Sequence, residues 1–339
     1  MYFLIYFMRL INLSQDKNSQ NYYFSNTLIK EIESNLNKKK KVIIYLNKRG
    51  SYSSLLCNSC QHLYECPQCD VSLNVHNISQ KLVCHLCWYE ENLFSRCKQC
   101  NSEDLQKIWI WTQQAEEFLK HYFQGKNYNI FRFDTDVVKN KTEKSLALQN
   151  LENADIIIGT KMITTWFDFR NIGLIGVLLL EQELQIPWYD TKERVFGNIK
   201  QLLWRGSRLW ETTDVIIQSF IPENEIVQHL AFHNYKDFFI HTLEERKLFN
   251  YPPFCEMVEL EYRHSDRQKS FEFTKKLADK LKKLSIDQNI EIILNEKSFK
   301  RNNSYFFKII IKGDNLHEFL KNIKSEIMRN SGLSVIFHS

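Results

Sequence analysis

Eight of the nine cysteines stand in four Cys-x-x-Cys pairs: Cys57/Cys60, Cys66/Cys69, Cys84/Cys87 and Cys97/Cys100. Two thiolates at this spacing can bind one metal ion together, and tetrahedral zinc takes four soft ligands of this kind. The four pairs therefore predict two structural zinc sites. A catalytic role for the thiols is disfavoured, because zinc with four thiolate ligands has no open position for water or substrate.

A cluster of disulfide bonds is the alternative explanation for these cysteines. The sequence shows no charged leader with a cleavage site for export, and the ninth cysteine, Cys255, is left over. In this context the pairs are more typical of zinc than of disulfides. We therefore expect free thiols in a cytoplasmic protein. We expect no membrane partner, since the apolar residues 1–10 contain Arg9 and are too few to span a bilayer.

Size and charge set wide limits on the function. The 339 residues, 43% of them hydrophobic, suffice for two domains and a metal-bound insertion. The formal net charge is +5, and eight thiolates with two zinc ions would bring it to about +1. The basic character is therefore weak evidence for nucleic-acid binding. We interpret the lysine run at 38–41 as a solvated helix end rather than a phosphate-binding patch.

The cysteine segment interrupts an alternation of strand and helix patterns. Before it, Ser25 is a predicted N-cap of a helix, and the unbroken apolar run 42–46 predicts a strand buried on both faces. That strand ends in the polar turn 47–50, at the edge where open α/β sheets bind ligands. After it we predict helices at 114–123, 145–151 and from 191, and strands at 129–133, 155–158, 172–180 and 215–220. This alternation predicts a mostly parallel sheet with helices on both faces.

The pattern changes near residue 233. Alternating strands are predicted at 257–262 and 306–311, with amphipathic helices at 271–284 and 316–328. These elements predict a small α+β domain at the C-terminal end.

The order of these features resembles the C-terminal half of the PriA family of replication-restart helicases (primosomal protein N′, helicase superfamily 2). The resemblance covers nearly the whole chain. Its motifs are Asn47-Lys48-Arg49-Gly50, the four cysteine pairs, Arg132-Phe133-Asp134-Thr135-Asp136, Ile158-Gly159-Thr160-Lys161-Met162, Glu193-Arg194 with Gln201, Arg205 and Arg208, Glu245-Arg246, and Tyr251-Pro252-Pro253-Phe254.

The resemblance implies a fold and a zinc pairing. Residues 1–56 and 105–232 would form a RecA-like helicase lobe 2, residues 57–104 a zinc-binding insertion, and residues 233–339 the α+β domain. The zinc sites would be nested, a choice that spacing alone leaves open. The outer pairs Cys57, Cys60, Cys97 and Cys100 would bind one ion, and the inner pairs Cys66, Cys69, Cys84 and Cys87 the other.

The family's ATP-binding lobe 1 has no counterpart in this sequence. Such lobes hold phosphates with Gly-x4-Gly-Lys-Ser/Thr. The Gly-Lys dipeptide here, Gly125-Lys126, has Lys120 where the first glycine is needed, and no Asp-Glu dipeptide occurs. The family's N-terminal DNA-binding region also has no counterpart. We therefore expect no ATPase activity from this chain by itself, and no catalytic residue is assigned.

The family's arginine motif is degenerate. Gln201, Arg205 and Arg208 share one helical face, and arginine suits phosphate oxygens. In this motif Trp204 and Ser207 replace glycines, so surface salt bridging is the alternative role for the arginines. Trp111 and the Thr165-Trp166 pair likewise replace motif residues. For the tryptophans we favour core packing or partner contact over base stacking.

We predict a PriA-like primosomal protein, active in replication restart, that binds DNA and partner proteins at forks. Lys297, Lys300 and Arg301, expected in a loop before the strand at 306–311, are the candidate DNA contacts. The implied partners are forked or single-stranded DNA, single-stranded-DNA-binding protein and other primosome proteins. One alternative is a subunit of a split ATP-dependent 3′-5′ helicase, completed in trans by a separate lobe 1 that brings ATP. The other is a zinc-stabilised protein-interaction module.

Overall fold

The fold is that of a computed structural model of the chain. The structure describes residues 6–16, 21, 23–46, 53–60, 62–68, 72–76, 79–84, 89–108, 110–134, 141–166, 170–184, 188–206, 213–232, 234–286, 288–301 and 303–338. Within these ranges, the side chains of residues 6–7, 141–146, 164–166, 205–206, 297–301 and 326 lie outside the description. The motif Asn47-Lys48-Arg49-Gly50 also lies outside it.

The chain divides into two compact units, Met1–Phe238 and Phe239–Ser339. The elements of the first are β1 (Tyr6–Asn12), α1 (Asn26–Asn37), β2 (Lys41–Tyr45), β3 (Ser54–Cys57), β4 (Asn74–His76), β5 (Lys81–Val83), β6 (Glu90–Asn92), β7 (Leu105–Ile108), α2 (Thr112–Tyr122), β8 (Ile130–Phe133), α3 (Lys141–Asn153), β9 (Ile156–Gly159), α4 (Lys161–Trp166), β10 (Ile172–Leu178), α5 (Glu181–Leu184), α6 (Thr191–Gly206), β11 (Thr213–Ser219) and α7 (Glu225–Ala231). The division falls within α8 (Tyr235–Leu248).

Six strands of the first unit form one sheet in the order β1-β11-β10-β2-β9-β8. Every neighbouring pair in this sheet is parallel. The predicted parallel sheet is therefore confirmed. Because all six strands run the same way, their carboxyl ends lie at one edge, where open α/β sheets bind ligands.

Both faces of this sheet are covered. Successive strand side chains point to opposite faces, and β2 shows the consequence. Its Val42 and Ile44 belong to the apolar cluster that contains residues of α1 and α2, whereas Ile43 and Tyr45 belong to the cluster that contains residues of α3 and α6. The unbroken apolar run at 42–46 thus has the environment that the sequence predicts.

A second sheet interrupts the first between β2 and α2. Five short strands form it in the order β6-β5-β4-β3-β7, and the pairs are antiparallel. It runs from Ser54 to Ile108 and carries all the described paired cysteines. The cysteine segment is therefore a separate antiparallel layer, as an insertion into an alternating α/β pattern requires.

The second unit contains an antiparallel sheet. Its elements are β12 (Glu256–His264), α9 (Arg267–Leu284), β13 (Ile290–Arg301), β14 (Ser304–Gly313), α10 (Leu316–Leu320), a 3₁₀ turn (Lys321–Ile323), α11 (Lys324–Arg329) and β15 (Leu333–His338). The strand order is β13-β14-β12-β15. Helix α9 buries Leu277, Ala278 and Leu281 in the apolar cluster of this sheet.

In the part of the chain that the structure describes, no helix is long and apolar enough to span a bilayer.

The expected position of Lys297, Lys300 and Arg301 in a loop is wrong. All three lie within β13, where Lys300 pairs with Tyr305 and Arg301 with Ser304 of β14. The register shifts between Asn295 and Phe299. The strand therefore continues through a charged stretch that has no regular alternation.

The predicted N-cap is confirmed. The Ser25 hydroxyl accepts a hydrogen bond from the Leu28 amide at 3.0 Å, and Ser25 is fully buried. Its own amide donates to the side chain of Gln218 in β11 at 3.1 Å. Ser25 therefore both begins α1 and joins it to the sheet.

We expect Ser25→Ala to lower the free energy of unfolding by about 1 kcal/mol, because the Leu28 amide loses its acceptor at a helix end. Chemical denaturation followed by circular dichroism measures the change. Lys30→Ala on the exposed face of the same helix is the control, expected to stay within about 0.5 kcal/mol of the parent. Equal stabilities for the two variants would contradict the capping role.

Candidate metal centre

The outer cysteine pairs converge in space. The sulfur atoms of Cys57, Cys60, Cys97 and Cys100 all lie within 4.8 Å of one another. Cys57 Sγ lies 3.5 Å from Cys100 Sγ, and Cys60 Sγ lies 3.7 Å from Cys97 Sγ. A tetrahedron with zinc–sulfur bonds of about 2.3 Å has edges of about 3.8 Å, whereas a disulfide has a length of about 2.05 Å. The separations therefore fit a tetrahedral metal site and not disulfide bonds.

Strand pairing brings these two pairs together from opposite ends of the insertion. Cys57 is the last residue of β3 and pairs in register with Leu105, the first residue of β7. The amide of Cys57 donates to His62 O, and that of Cys97 donates to Ser102 O. Each bond closes a tight turn around one cysteine pair. The β3–β7 pairing then places the two turns side by side.

Polar side chains join the two turns directly. Asn58 donates to the Asp104 carboxylate at 2.8 Å, and the hydroxyls of Ser59 and Ser102 lie 2.7 Å apart. The backbone amide of Asn58 also donates a hydrogen bond to the backbone carbonyl of Asp104. These bonds support the approach of the sulfurs independently of any ion. The polar fillers of the cysteine pairs therefore have a structural role that the spacing does not reveal.

The environment of the cluster acts in opposite directions on two of its thiols, Cys60 and Cys97. Loss of hydration and hydrogen bonds with neighbouring thiols raise the pKa of Cys60 to about 12, although the residue as a whole is exposed. Loss of hydration acts on Cys97 too, but hydrogen bonds from Tyr64 and from the backbone outweigh it and lower its pKa to about 6. A dication would supply positive charge, and its binding would release protons.

The inner pairs are described only in part. Cys66 and Cys84 are buried, and the Cys84 amide donates to Tyr89 O. Their partners Cys69 and Cys87 lie outside the described residues. The geometry of the predicted second site is therefore untested.

At the carboxyl edge of the parallel sheet, part of the family motif forms a buried network. Asp134, fully buried, follows β8 and accepts hydrogen bonds from Thr112 Oγ1 at 2.6 Å and from Arg132 at 2.9 Å. Arg132 also pairs with Glu116 at 2.9 Å. The network ties the start of α2 to the end of β8. Thr135 and Asp136, the rest of that motif, lie outside the described residues.

Two buried glutamates at the same edge were missed by sequence reasoning. Glu181 accepts hydrogen bonds from the Ser219 hydroxyl at 2.8 Å and the Phe220 amide at 3.0 Å, and Glu183 accepts one from Tyr45 at 2.7 Å. Burial raises the pKa of Glu181, although its hydrogen bonds oppose the shift. The signal was present, because two acids directly follow the apolar run of β10 at its carboxyl end.

Only part of the degenerate arginine motif lies among the described residues. Gln201 is exposed on α6, the side chain of Arg205 is not described, and Arg208 lies outside the described residues. Trp111 and Trp204 are 42% and 45% exposed, so core packing is wrong for these two tryptophans. The side chain of Trp166 is not described. The predicted grouping of Gln201, Arg205 and Arg208 on one helical face therefore stays a prediction.

Comparison with known proteins identifies the cysteine segment. A family model described as the PriA DNA helicase Cys-rich region (CRR) domain matches residues 66–91. The match contains both inner cysteine pairs. Together with the four-sulfur cluster, it defines the segment as a zinc-ribbon region.

Relatives extend the similarity to most of the chain. Replication restart protein PriA of Borreliella burgdorferi is 31% identical over 273 residues, covering 79% of this chain and 40% of that protein. PriA of Bacillus subtilis is 31% identical over 276 residues, covering 80% and 34%, and PriA of Rickettsia felis is 30% identical over 322 residues, covering 93% and 49%. Among solved structures, the designed protein Foldit4 is 21% identical and matches 25% of this chain and 97% of its own, at a TM-score of 0.22.

The fold and site define a protein with a zinc ribbon inserted beside a parallel α/β sheet. The chain is PriA-like and corresponds to the C-terminal half of such a protein. The resemblance found in the sequence is therefore confirmed. The chain spans less than half the length of these three relatives.

Proposed function

We propose that this chain acts in replication restart as a zinc-containing module that binds DNA and partner proteins at forks. The observation that carries the proposal is the four-sulfur cluster of the outer pairs, which flank the stretch 66–91 that matches the Cys-rich region of PriA. Forked or single-stranded DNA, single-stranded-DNA-binding protein and other primosome proteins are the proposed partners. A cytoplasmic location is proposed with them.

The proposed metal content is two zinc ions in nested sites. Cys57, Cys60, Cys97 and Cys100 would hold one ion, and the separations of 3.5 and 3.7 Å between their sulfurs support this assignment. Cys66, Cys69, Cys84 and Cys87 would hold the other, which the burial of Cys66 and Cys84 supports. Both ions would be structural, since four thiolates leave no open position.

Elemental analysis of reduced protein should find about two zinc ions per chain, the number that two four-thiolate sites hold. The double variant Cys60→Ser/Cys97→Ser should lose one ion, because both residues serve the outer site in nested pairing. Sequential pairing would place them in different sites, so the variant would lose both ions. Cys255→Ser is the control and should keep both. Zinc-free wild-type protein would refute the metal proposal.

The parallel unit is proposed to be a RecA-like lobe 2, with 57–104 as its insertion and 233–339 as a C-terminal domain. Its support is the all-parallel sheet, with the Thr112–Asp134–Arg132 network at its carboxyl edge. Gln201, Arg205 and Arg208 would be remnants of a phosphate-contacting motif. Trp204, 45% exposed on the same helix as Gln201, would occupy space where close backbone approach is needed.

The isolated chain should show no DNA-stimulated ATPase activity, because the sequence contains no Gly-x4-Gly-Lys loop to hold phosphates. Phosphate release with forked DNA measures this. Turnover that follows the protein through purification and disappears in Arg208→Ala would contradict it. Background turnover that is equal in wild type and Arg208→Ala would be attributed to a contaminant.

The proposed DNA contacts lie in the second unit. Lys297, Lys300 and Arg301 stand on β13 beside its turn into β14. On helix α9, Lys269, Lys276 and Lys283 are exposed and recur every seven residues on one helical face, with the exposed Glu272 and Asp279 between them. From Lys269 to Lys283 that face extends about 21 Å. Because its charges alternate in sign, this face is a weaker candidate for phosphate contacts than Lys297, Lys300 and Arg301.

Reversing Lys297, Lys300 and Arg301 to glutamate should weaken binding to forked DNA of any sequence. It should also flatten the dependence of log affinity on log salt by up to about three units, since each phosphate contact contributes about 0.9. A salt-titrated anisotropy assay measures both. Reversing the exposed Lys30 on α1 and Lys38 and Lys39 just after it makes the same charge change and should leave the slope almost unaltered.

If the folded triple variant of Lys297, Lys300 and Arg301 keeps both its affinity for forked DNA and the salt dependence of that affinity, these three residues are not DNA contacts. The same reversal at Lys269, Lys276 and Lys283 then decides whether α9 binds phosphates. If neither set matters, the second unit is a protein-docking module, which favours the zinc-stabilised interaction module. If a separate lobe 1 protein copurifies from the native cell and restores ATPase activity, the chain is one subunit of a split helicase that uses ATP.

A further inference from the structure

Tyr64 lies buried against the outer cysteine cluster. It is 4% exposed, with its ring edge-to-face with His62 at 4.7 Å and tilted against Phe94 at 4.8 Å between centroids. Its backbone is held on both sides, since its amide donates to Leu55 O and its carbonyl accepts from Leu73. The side chain therefore has one fixed direction, toward the turn that carries Cys97.

The Tyr64 hydroxyl makes two hydrogen bonds at that turn. It accepts one from the Lys98 amide at 2.9 Å and donates one to Cys97 Sγ at 3.1 Å. Because the amide hydrogen already occupies one side of the oxygen, the hydroxyl hydrogen points to the sulfur. The Gln99 amide also donates to Cys97 Sγ, at 3.4 Å. Cys97 thus receives a buried side-chain donor in addition to the backbone donors that a cysteine turn supplies.

A hydrogen bond to a ligand sulfur has a direct effect on a metal bound there. It stabilises negative charge on the thiolate, lowers the electron density that the sulfur donates to the metal, and fixes the orientation of the ligand. Removing such an outer partner costs about 10–100-fold in metal affinity or activity in known metal sites. The bond from Tyr64 is well placed for this, since the ring is packed and its hydroxyl is shielded from water.

We propose that Tyr64 is a positioning residue of the outer metal site, whose hydroxyl holds Cys97 as a ligand and slows loss of the ion. The inference rests on the proposed zinc ligation by Cys57, Cys60, Cys97 and Cys100. It adds that the outer site depends on a side chain outside the cysteine pairs. The packing of Tyr64 on His62 and Phe94 supports the same turn but does not by itself alter the metal–sulfur bond.

The test is Tyr64→Phe in the full chain, which keeps the ring and removes only the hydroxyl. At saturating zinc, the variant should bind as much metal as wild type, and the outer ion should pass to a chelator about 10-fold faster or more. With cobalt(II) in place of zinc, the sulfur-to-cobalt charge-transfer band should move to longer wavelength, because the sulfur becomes a stronger donor. Both measurements are made in a Cys66→Ser background, which is expected to lose the inner ion. The metal release and the cobalt band then report on the outer site.

Tyr89→Phe is the matched control, since it removes a hydroxyl elsewhere in the cysteine-rich region and should change neither signal. A Tyr64→Phe chain with full metal content, unaltered release and an unaltered cobalt band overturns the inference and leaves the zinc proposal intact. A wild-type chain that binds no metal overturns both. If Tyr64→Phe does not fold, 3-fluorotyrosine at position 64, a stronger donor, should move the band to shorter wavelength, and an unmoved band overturns the inference.

Discussion

The structure of the insertion depends on bringing two cysteine turns together across forty residues of chain. The meeting of Cys57 and Cys60 with Cys97 and Cys100 closes a long loop, and loop closure costs entropy that the short strands β4, β5 and β6 cannot offset alone. The β3–β7 pairing and the bond between Asn58 and Asp104 supply part of that energy. An ion shared by four thiolates would supply the rest, because its binding energy is folding energy.

This closure also explains how the insertion coexists with the parallel sheet. Strand β3 follows β2, and β7 leads into α2, so the ends of the insertion lie next to each other and fit into one α/β connection. The alternation therefore resumes at α2, whose first residue, Thr112, donates to Asp134 at the end of β8. An insertion with separated ends would pull α2 away from this contact. The β3–β7 pairing is thus a condition for the network at the sheet edge.

Sequence reasoning succeeds where a local pattern determines the structure. Ser25 as an N-cap and the apolar run of β2 are local signals, and both are confirmed. It fails where the determining contact is distant in sequence. The Tyr64–Cys97 bond joins residues 33 apart, and β13 extends through Lys297–Arg301 because β14 offers pairing partners that no local pattern indicates. The choice between nested and sequential zinc pairing is of this second kind, which is why spacing leaves it open.

The two exposed tryptophans are best understood from the positions they occupy. Trp111 precedes α2 at the edge where Thr112 binds Asp134, and Trp204 stands on α6 three residues after Gln201. Under the proposed lobe 2 assignment, both tryptophans replace motif glycines, and the indole of Trp204 would cover backbone that a phosphate would otherwise approach. Under that assignment the replacement at Trp204 would disfavour phosphate binding, and we favour contact with a partner surface as the role of both tryptophans.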